Sequence, residues 1–189
     1  HGSNYGTLRS FTSQSLIEYL NADYFITWGW RRHGDYSVNS LPMSSPIMSK
    51  SKYLYNENQP RKIIFVGTRV AIIPDRLTSS PQPNRALQYF LDKTSFIDHL
   101  DLKIFNRLLY RAYPTENGSI PEKSFIQNKI KNLKLLDGDL NYHSLSAYCV
   151  VIDHPGTSML FNLAYNIPTV LFWDKNDWVF CEESESYFE

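Results

Sequence analysis

The second half of the chain repeats one pattern: a short apolar run, a polar break, then apolar positions at helical spacing. "RKIIFVGTR", "RLLYRAYP", "LKLLDGD", "CVVID" and "TVLFW" read as strands whose apolar residues run on rather than alternate. Such strands are buried on both faces, the condition of a parallel sheet covered by helices. "NRALQYFLDKTSFIDHL", "SFIQNKIKN", "LNYHSLSAY" and "SMLFNLAYN" read as helices between them. In the first, Leu87, Phe90, Leu91 and Ile97 form the expected core stripe. Alternating strands and helices with right-handed crossovers predict an α/β fold, a Rossmann-like parallel sheet with helices on both faces.

The first half is less regular. "HGSNYGT" reads as a Gly-rich polar loop and "SQSLIEYLN" as a helix, with Leu16, Ile17 and Leu20 on one face and Ser13 or Ser15 as cap. "DYFITWGW" has the aromatic and β-branched content of a strand. From Arg31 to Pro60 the chain is rich in Ser, Pro and Asn, which predicts a loop or linker with one short strand near Tyr53. The expected division is therefore 1–60, the end of one domain plus a linker, and 61–189, the Rossmann-like domain. The acidic tail after Asp174 suits a helix facing water.

Composition narrows the function classes. Apolar residues make up 42% of the 189, enough for a packed core. Net charge is +0, against a partner nucleic acid recognised through a broad basic surface. Two cysteines, Cys149 and Cys181, are no disulfide framework, so a reducing compartment is expected, the cytoplasm. Cys149 lies in an apolar run and reads as a small buried residue. No run has the length of a membrane span. The chain starts at His1 rather than Met, which suggests a fragment lacking an N-terminal domain.

In parallel sheets ligands bind where strands lead into helices at their carboxyl ends. "DHPGTS", Asp153 to Ser158, is such a loop. Gly156 allows close backbone approach. Thr157 or Ser158 can cap the following helix and offer a hydroxyl. The first-turn N–H groups favour an anion such as phosphate, and His154 can donate to a phosphate oxygen or act as acid or base. The same residues also suit an ordinary helix cap. "YRAYP" puts Arg111, Tyr113 and Pro114 at a neighbouring strand end, where Arg suits a bidentate phosphate contact or a surface ion pair. Gly67 and Thr68 end another strand in the manner of a phosphate-approach loop. Neither GxxxxGK[ST] nor GxGxxG occurs. Asp137 and Asp139 read as turn and cap residues. The histidines show no zinc spacing, so no metal or cofactor is expected.

"LLYRAYP" and "LLDGDLNYHSLSAYCVVIDHPGTSMLFNLAYNIPTVLFWD" together resemble the donor-binding half of GT-B transferases that build bacterial surface carbohydrates, the group around CDP-glycerol glycerophosphotransferases. Those proteins carry His-Pro where this chain has Tyr113-Pro114, and often Asp-Tyr-Ser-Ser where it has Asp153 to Ser158. The resemblance implies transfer of a sugar or polyol-phosphate group from a nucleotide-activated donor to a carbohydrate acceptor, without a metal. It implies location in the cytoplasm, including the inner face of the membrane. It makes 61–189 the donor domain and 1–60 the end of the acceptor side. It also implies donor-binding roles for Gly67, Thr68, Arg111, Tyr113, Asp153, His154, Gly156, Thr157 and Ser158. "HGSNYG" is similar to a His-Gly loop on the acceptor side, which makes His1 the candidate general base on the acceptor hydroxyl. A nucleotide-sugar epimerase of the same fold and a non-catalytic Rossmann-like binding module are the alternative readings.

Overall fold

A computed structural model describes residues 4–9, 17–19, 21–31, 39–49, 62–73, 81–114 and 117–188. The elements in chain order are α1 (Asn4–Thr7), β1 (Phe25–Thr27), β2 (Ser40–Pro42), α2 (Pro46–Ser49), β3 (Lys62–Val66), α3 (Ala86–Asp98), α4 (Leu102–Phe105), β4 (Leu108–Arg111), α5 (Glu122–Lys129), β5 (Lys134–Leu135), α6 (Leu140–Ser144), β6 (Ala147–Ile152), α7 (Thr157–Ala164), β7 (Thr169–Leu171) and α8 (Glu182–Glu185). His1, Ser13, Ser15, Leu16, Leu20 and Tyr53 lie outside the described residues.

Five strands form one parallel sheet in the order β5-β4-β3-β6-β7. The apolar runs of β3 and β6 explain their central positions: Ile64, Phe65, Val66, Val150 and Ile152 are almost wholly buried. One face packs Ile63, Phe65, Leu108, Tyr110 and Val151 against Ile97 of α3 and Ile126 of α5. The other packs Ile64, Val66, Val150 and Ile152 against Met159 and Phe161 of α7. This is the α/β Rossmann-like arrangement. After β3 the chain runs outward through β4 to β5, then crosses to β6 on the other flank. The loops after β3 and β6 therefore lead to opposite flanks, which makes this carboxyl edge the switch point of the sheet, the place where open α/β folds bind ligands.

The N-terminal part forms a two-stranded parallel sheet, β1 with β2. Tyr5, Tyr19, Phe25 and Trp30 cluster against it, and Tyr19 meets Phe25 edge to face at 4.5 Å. Backbone hydrogen bonds tie this part to the chain's other end, from Arg9 N–H to Val179 O and from Cys181 N–H to Thr7 O, both at 2.9 Å. The Ser184 hydroxyl also donates to Thr7 O at 2.7 Å. The acidic tail is thus helical with its glutamates exposed, but it buries Ser184 against the N-terminal segment rather than facing only water.

Other expectations change. Asn4–Thr7 of the expected N-terminal loop are helical, Ser40–Pro42 and Pro46–Ser49 of the expected linker form a strand and a helix, and the helix expected over "LNYHSLSAY" ends at Ser144, with Ala147 and Tyr148 already in β6. In α3 the buried stripe is Ala86, Tyr89, Phe90, Lys93, Thr94 and Ile97. Leu87 is 61% exposed, and Leu91 also faces outward. A fully buried lysine occupies a stripe position, so the helix is rotated from the face its leucines suggested. Cys149 is half-buried rather than buried. Ile17 is exposed, and Tyr19 supplies the buried side chain of that segment.

Phe65 is fully buried at the centre of the sheet, with Phe96, Tyr110 and Phe172 rings 5.5 to 6.2 Å away. Phe65→Ala is expected to lower unfolding free energy by about 3–5 kcal/mol in a urea titration; a loss under about 1 kcal/mol would contradict this packing.

Candidate active site

The candidate residues follow the carboxyl ends of three neighbouring strands, β4, β3 and β6, but no one of the cavities lined by Arg111, Tyr113 or Thr68 also takes in the loop from Asp153 to Ser158. In register, Arg111 pairs with Val66, and Val66 with Ile152. At about 4.8 Å per strand, the backbones of Arg111 and Ile152 lie about 10 Å apart. Gly67 and Thr68 follow β3, and Asp153 to Ser158 follow β6, so the two loops flank the switch point. Arg111 and Tyr113 line a separate cavity of about 410 Å³ with Lys123, Asp137 and Gly138. There the Arg111 guanidinium donates to Gly138 O at 2.9 Å. Tyr113 is exposed, and Thr68 is half-exposed at the rim.

Gly156 is the N-cap of α7 and provides no side-chain cap. Thr157 and Ser158 are the first two helical residues, so neither hydroxyl caps the helix as the sequence suggested. Their first-turn N–H groups have no partner within the helix. Asp139 does cap α6, accepting from Tyr142 N–H at 2.9 Å, which gives the "DGD" turn a structural role.

Below the switch point lies a charged network that sequence reasoning missed. Lys93, from α3, is 0% exposed and pairs with two carboxylates. Its Nζ lies 2.6 Å from Asp153 Oδ2 and also contacts Glu122 Oε1 of α5. Tyr110 Oη donates to the same Glu122 oxygen at 2.8 Å. The ammonium sits 3.8 Å from the centre of the Tyr89 ring, a cation–π contact. Asp153 Oδ1 pairs with His154 Nδ1 at 2.8 Å. Gly67 has a packing reason: a Cβ there would lie 2.7 Å from Tyr110 Oη and within 2.9 Å of both Glu122 carboxylate oxygens.

Each group in the network answers to the others. Burial opposes ionisation of Asp153, but Lys93 and His154 outweigh it and hold the carboxyl below its usual range. Burial pushes Glu122 above its usual range, against the pull of Lys93 and with the repulsion of Asp153. Burial disfavours the Lys93 ammonium, yet Asp153 and then Glu122 hold its pKa above the usual lysine value. Burial, then the nearby carboxylates, raises both tyrosine phenols well above their usual range, so they stay protonated donors.

A signal for this network was present in the sequence. Lys93 falls four residues after Tyr89 and four before Ile97, so it occupies the same helix face as apolar residues. A charge at such a position calls for buried counter-charges.

Removing Lys93 strands two carboxylates, so Lys93→Met is expected to cost about 3–5 kcal/mol at neutral pH. The sign with pH follows from the shifts. Asp153's contribution is present above the ordinary carboxylate pKa and is lost as pH falls through its depressed folded value. Without Lys93, both carboxylates are favoured as neutral acids, so the gap between variant and wild type is expected to shrink on acidification. Urea titrations from neutral pH down through the carboxylate range check this; a gap that stays constant or widens would contradict the pairing.

Among the described residues, no group of three or more His, Cys, Asp or Glu side chains is placed to hold a metal ion. None of their helices is long and apolar enough to cross a membrane. No curated protein and no solved structure matches the chain significantly. One family does match, over residues 1–189, and its description is "LIC12162 family transferase". With its whole length matched, the chain belongs to the LIC12162 family of transferases.

Proposed function

We propose that this transferase is of the GT-B type and moves a sugar or polyol-phosphate group from a nucleotide-activated donor to a surface-polysaccharide acceptor. The observation that carries the reading is the switch point of the sheet, between the β3 and β6 loops. Gly67 and Thr68 border it on one side; Asp153, His154, Gly156, Thr157, Ser158 and the start of α7 border it on the other. The donor's diphosphate lies over the α7 N-terminus, where unpaired N–H groups and the helix dipole favour negative charge. The Thr157 and Ser158 hydroxyls add donors. Arg111 and Tyr113 hold the other end of the donor at the β4 edge. The α7 N–H groups and the two hydroxyls neutralise the leaving phosphate in place of a metal.

The part before residue 61 supplies the acceptor side in this reading. A cavity of about 520 Å³ lies there, lined by Tyr5, Trp28, Trp30, Tyr187 and Leu160 among others. Leu160 belongs to α7, the helix that follows the loop from Asp153 to Ser158. Flat aromatic faces beside a few polar groups suit a carbohydrate ring. His1, outside the described residues, is one candidate base for the acceptor hydroxyl.

A thermal-shift panel of nucleotide-sugars and CDP-activated polyols on the full protein tests the reading. A true donor at a hundred times its Kd is expected to raise Tm by about 5–10 °C. Arg111→Ala should remove most of that rise without lowering the unliganded Tm. No response to any member of the panel would sink the proposal.

A further inference from the structure

The cavity at the carboxyl ends of β4 and β5 holds two cations that the fold leaves without counter-charges. It measures about 410 Å³, a volume that suits a small-molecule ligand. Arg111, at the end of β4, and Lys123, in the first turn of α5, both line it, and both are half-buried. The Arg111 guanidinium donates to two backbone carbonyls, Gly138 O at 2.9 Å and Ala112 O at 3.4 Å. Among the described residues, no carboxylate lies within ion-pair distance of either cation. Glu122, next to Lys123 in sequence, is turned to Lys93 and Tyr110 instead.

These charges are placed unfavourably unless an anion joins them. Two like charges on one wall repel. Lys123 also stands at the start of a helix, where the dipole favours negative charge over positive. An oxyanion between the two removes both costs and gives the planar Arg111 fork a partner that matches it. The exposed Tyr113 side chain borders the same cavity and brings a further hydroxyl donor. Asp137 puts a carboxylate on the wall. It repels a bare anion but accepts from a hydroxyl. The lining therefore suits an oxyanion carried on a hydroxylated molecule.

We propose that this cavity is a second anion site, which takes the phosphate or carboxylate group of a sugar or polyol. It deepens the transferase reading, on which its place in the reaction rests: what Arg111 and Tyr113 hold is an oxyanion other than the diphosphate over α7. No residue of the loop from Asp153 to Ser158 lines the cavity, and neither does Thr68 of the β3 loop. Two sources supply such a group. One is the donor itself, where its sugar is acidic. The other is a separate sugar phosphate, free or at the end of an acceptor.

Isothermal titration of the full protein tests the site with two pairs of probes. Glucose 6-phosphate against glucose reads the separate source, and UDP-glucuronate against UDP-glucose reads the donor source. In at least one pair the charged probe is expected to bind about tenfold more tightly or better. Lys123 has no ion-pair partner to lose, so Lys123→Gln should keep the unliganded Tm and abolish the preference; Arg111→Gln is the second variant. A preference for glucose 6-phosphate assigns the site to a separate phosphate, and one for UDP-glucuronate alone assigns it to the donor. No preference in either pair, or a preference that survives both substitutions, would overturn the proposal. Silence of every nucleotide beside Lys123-dependent binding of glucose 6-phosphate would remove the transferase reading and leave the anion site standing.

Discussion

One ammonium ion organises the edge of this sheet. Lys93 Nζ reaches from α3 to Asp153, just past the end of β6, and to Glu122, at the start of α5. Burying a lone charge is prohibitive, so these elements assemble together or not at all. Tyr110 in β4 and Tyr89 in α3 close the network from the remaining sides. The bare Gly67 leaves room for the Glu122 carboxylate beneath the β3 loop. Apolar side chains in place of all three charged partners together would be of similar stability, whereas removing one partner alone is not. What the charges add is a fixed geometry for the loop from Asp153 to Ser158.

That geometry links fold to chemistry. The strand order reverses between β3 and β6, so the loops on either side part and expose the start of α7. Asp153 has its carboxylate in the buried network, and its neighbour His154 belongs to the loop at the switch point. The same helix touches the aromatic cavity through Leu160, so one rigid element runs from that cavity to the loop at Asp153 to Ser158.

Much of the architecture was legible in the sequence, and for physical reasons. Apolar runs such as "KIIFV" and "CVVID" have no polar face, so only central strands of a covered parallel sheet satisfy them. The strand-to-helix loop at Asp153 could be read from Pro, Gly and hydroxyls at a helix start. The α3 face was misread because Leu87 and Leu91 outrank Lys93 on any hydropathy count, although they face water. Lys93 is buried because of partners 29 and 60 residues downstream, Glu122 and Asp153, and no local pattern carries that information. Asp153 looked like a strand stop, and the role of Glu122 was hidden for the same reason: its partners come from α3 and β4.

The central claim is that the switch point beside His154 holds the donor phosphate. A crystal structure of the protein soaked with UDP and, separately, CDP tests it most directly. Diphosphate density over the α7 N-terminus is expected, within hydrogen-bond reach of the Thr157 and Ser158 N–H groups and beside His154 Nε2. Diphosphate bound instead only in the Arg111–Lys123 cavity or among the aromatic side chains around Trp30, with the α7 N-terminus left to solvent, would contradict it.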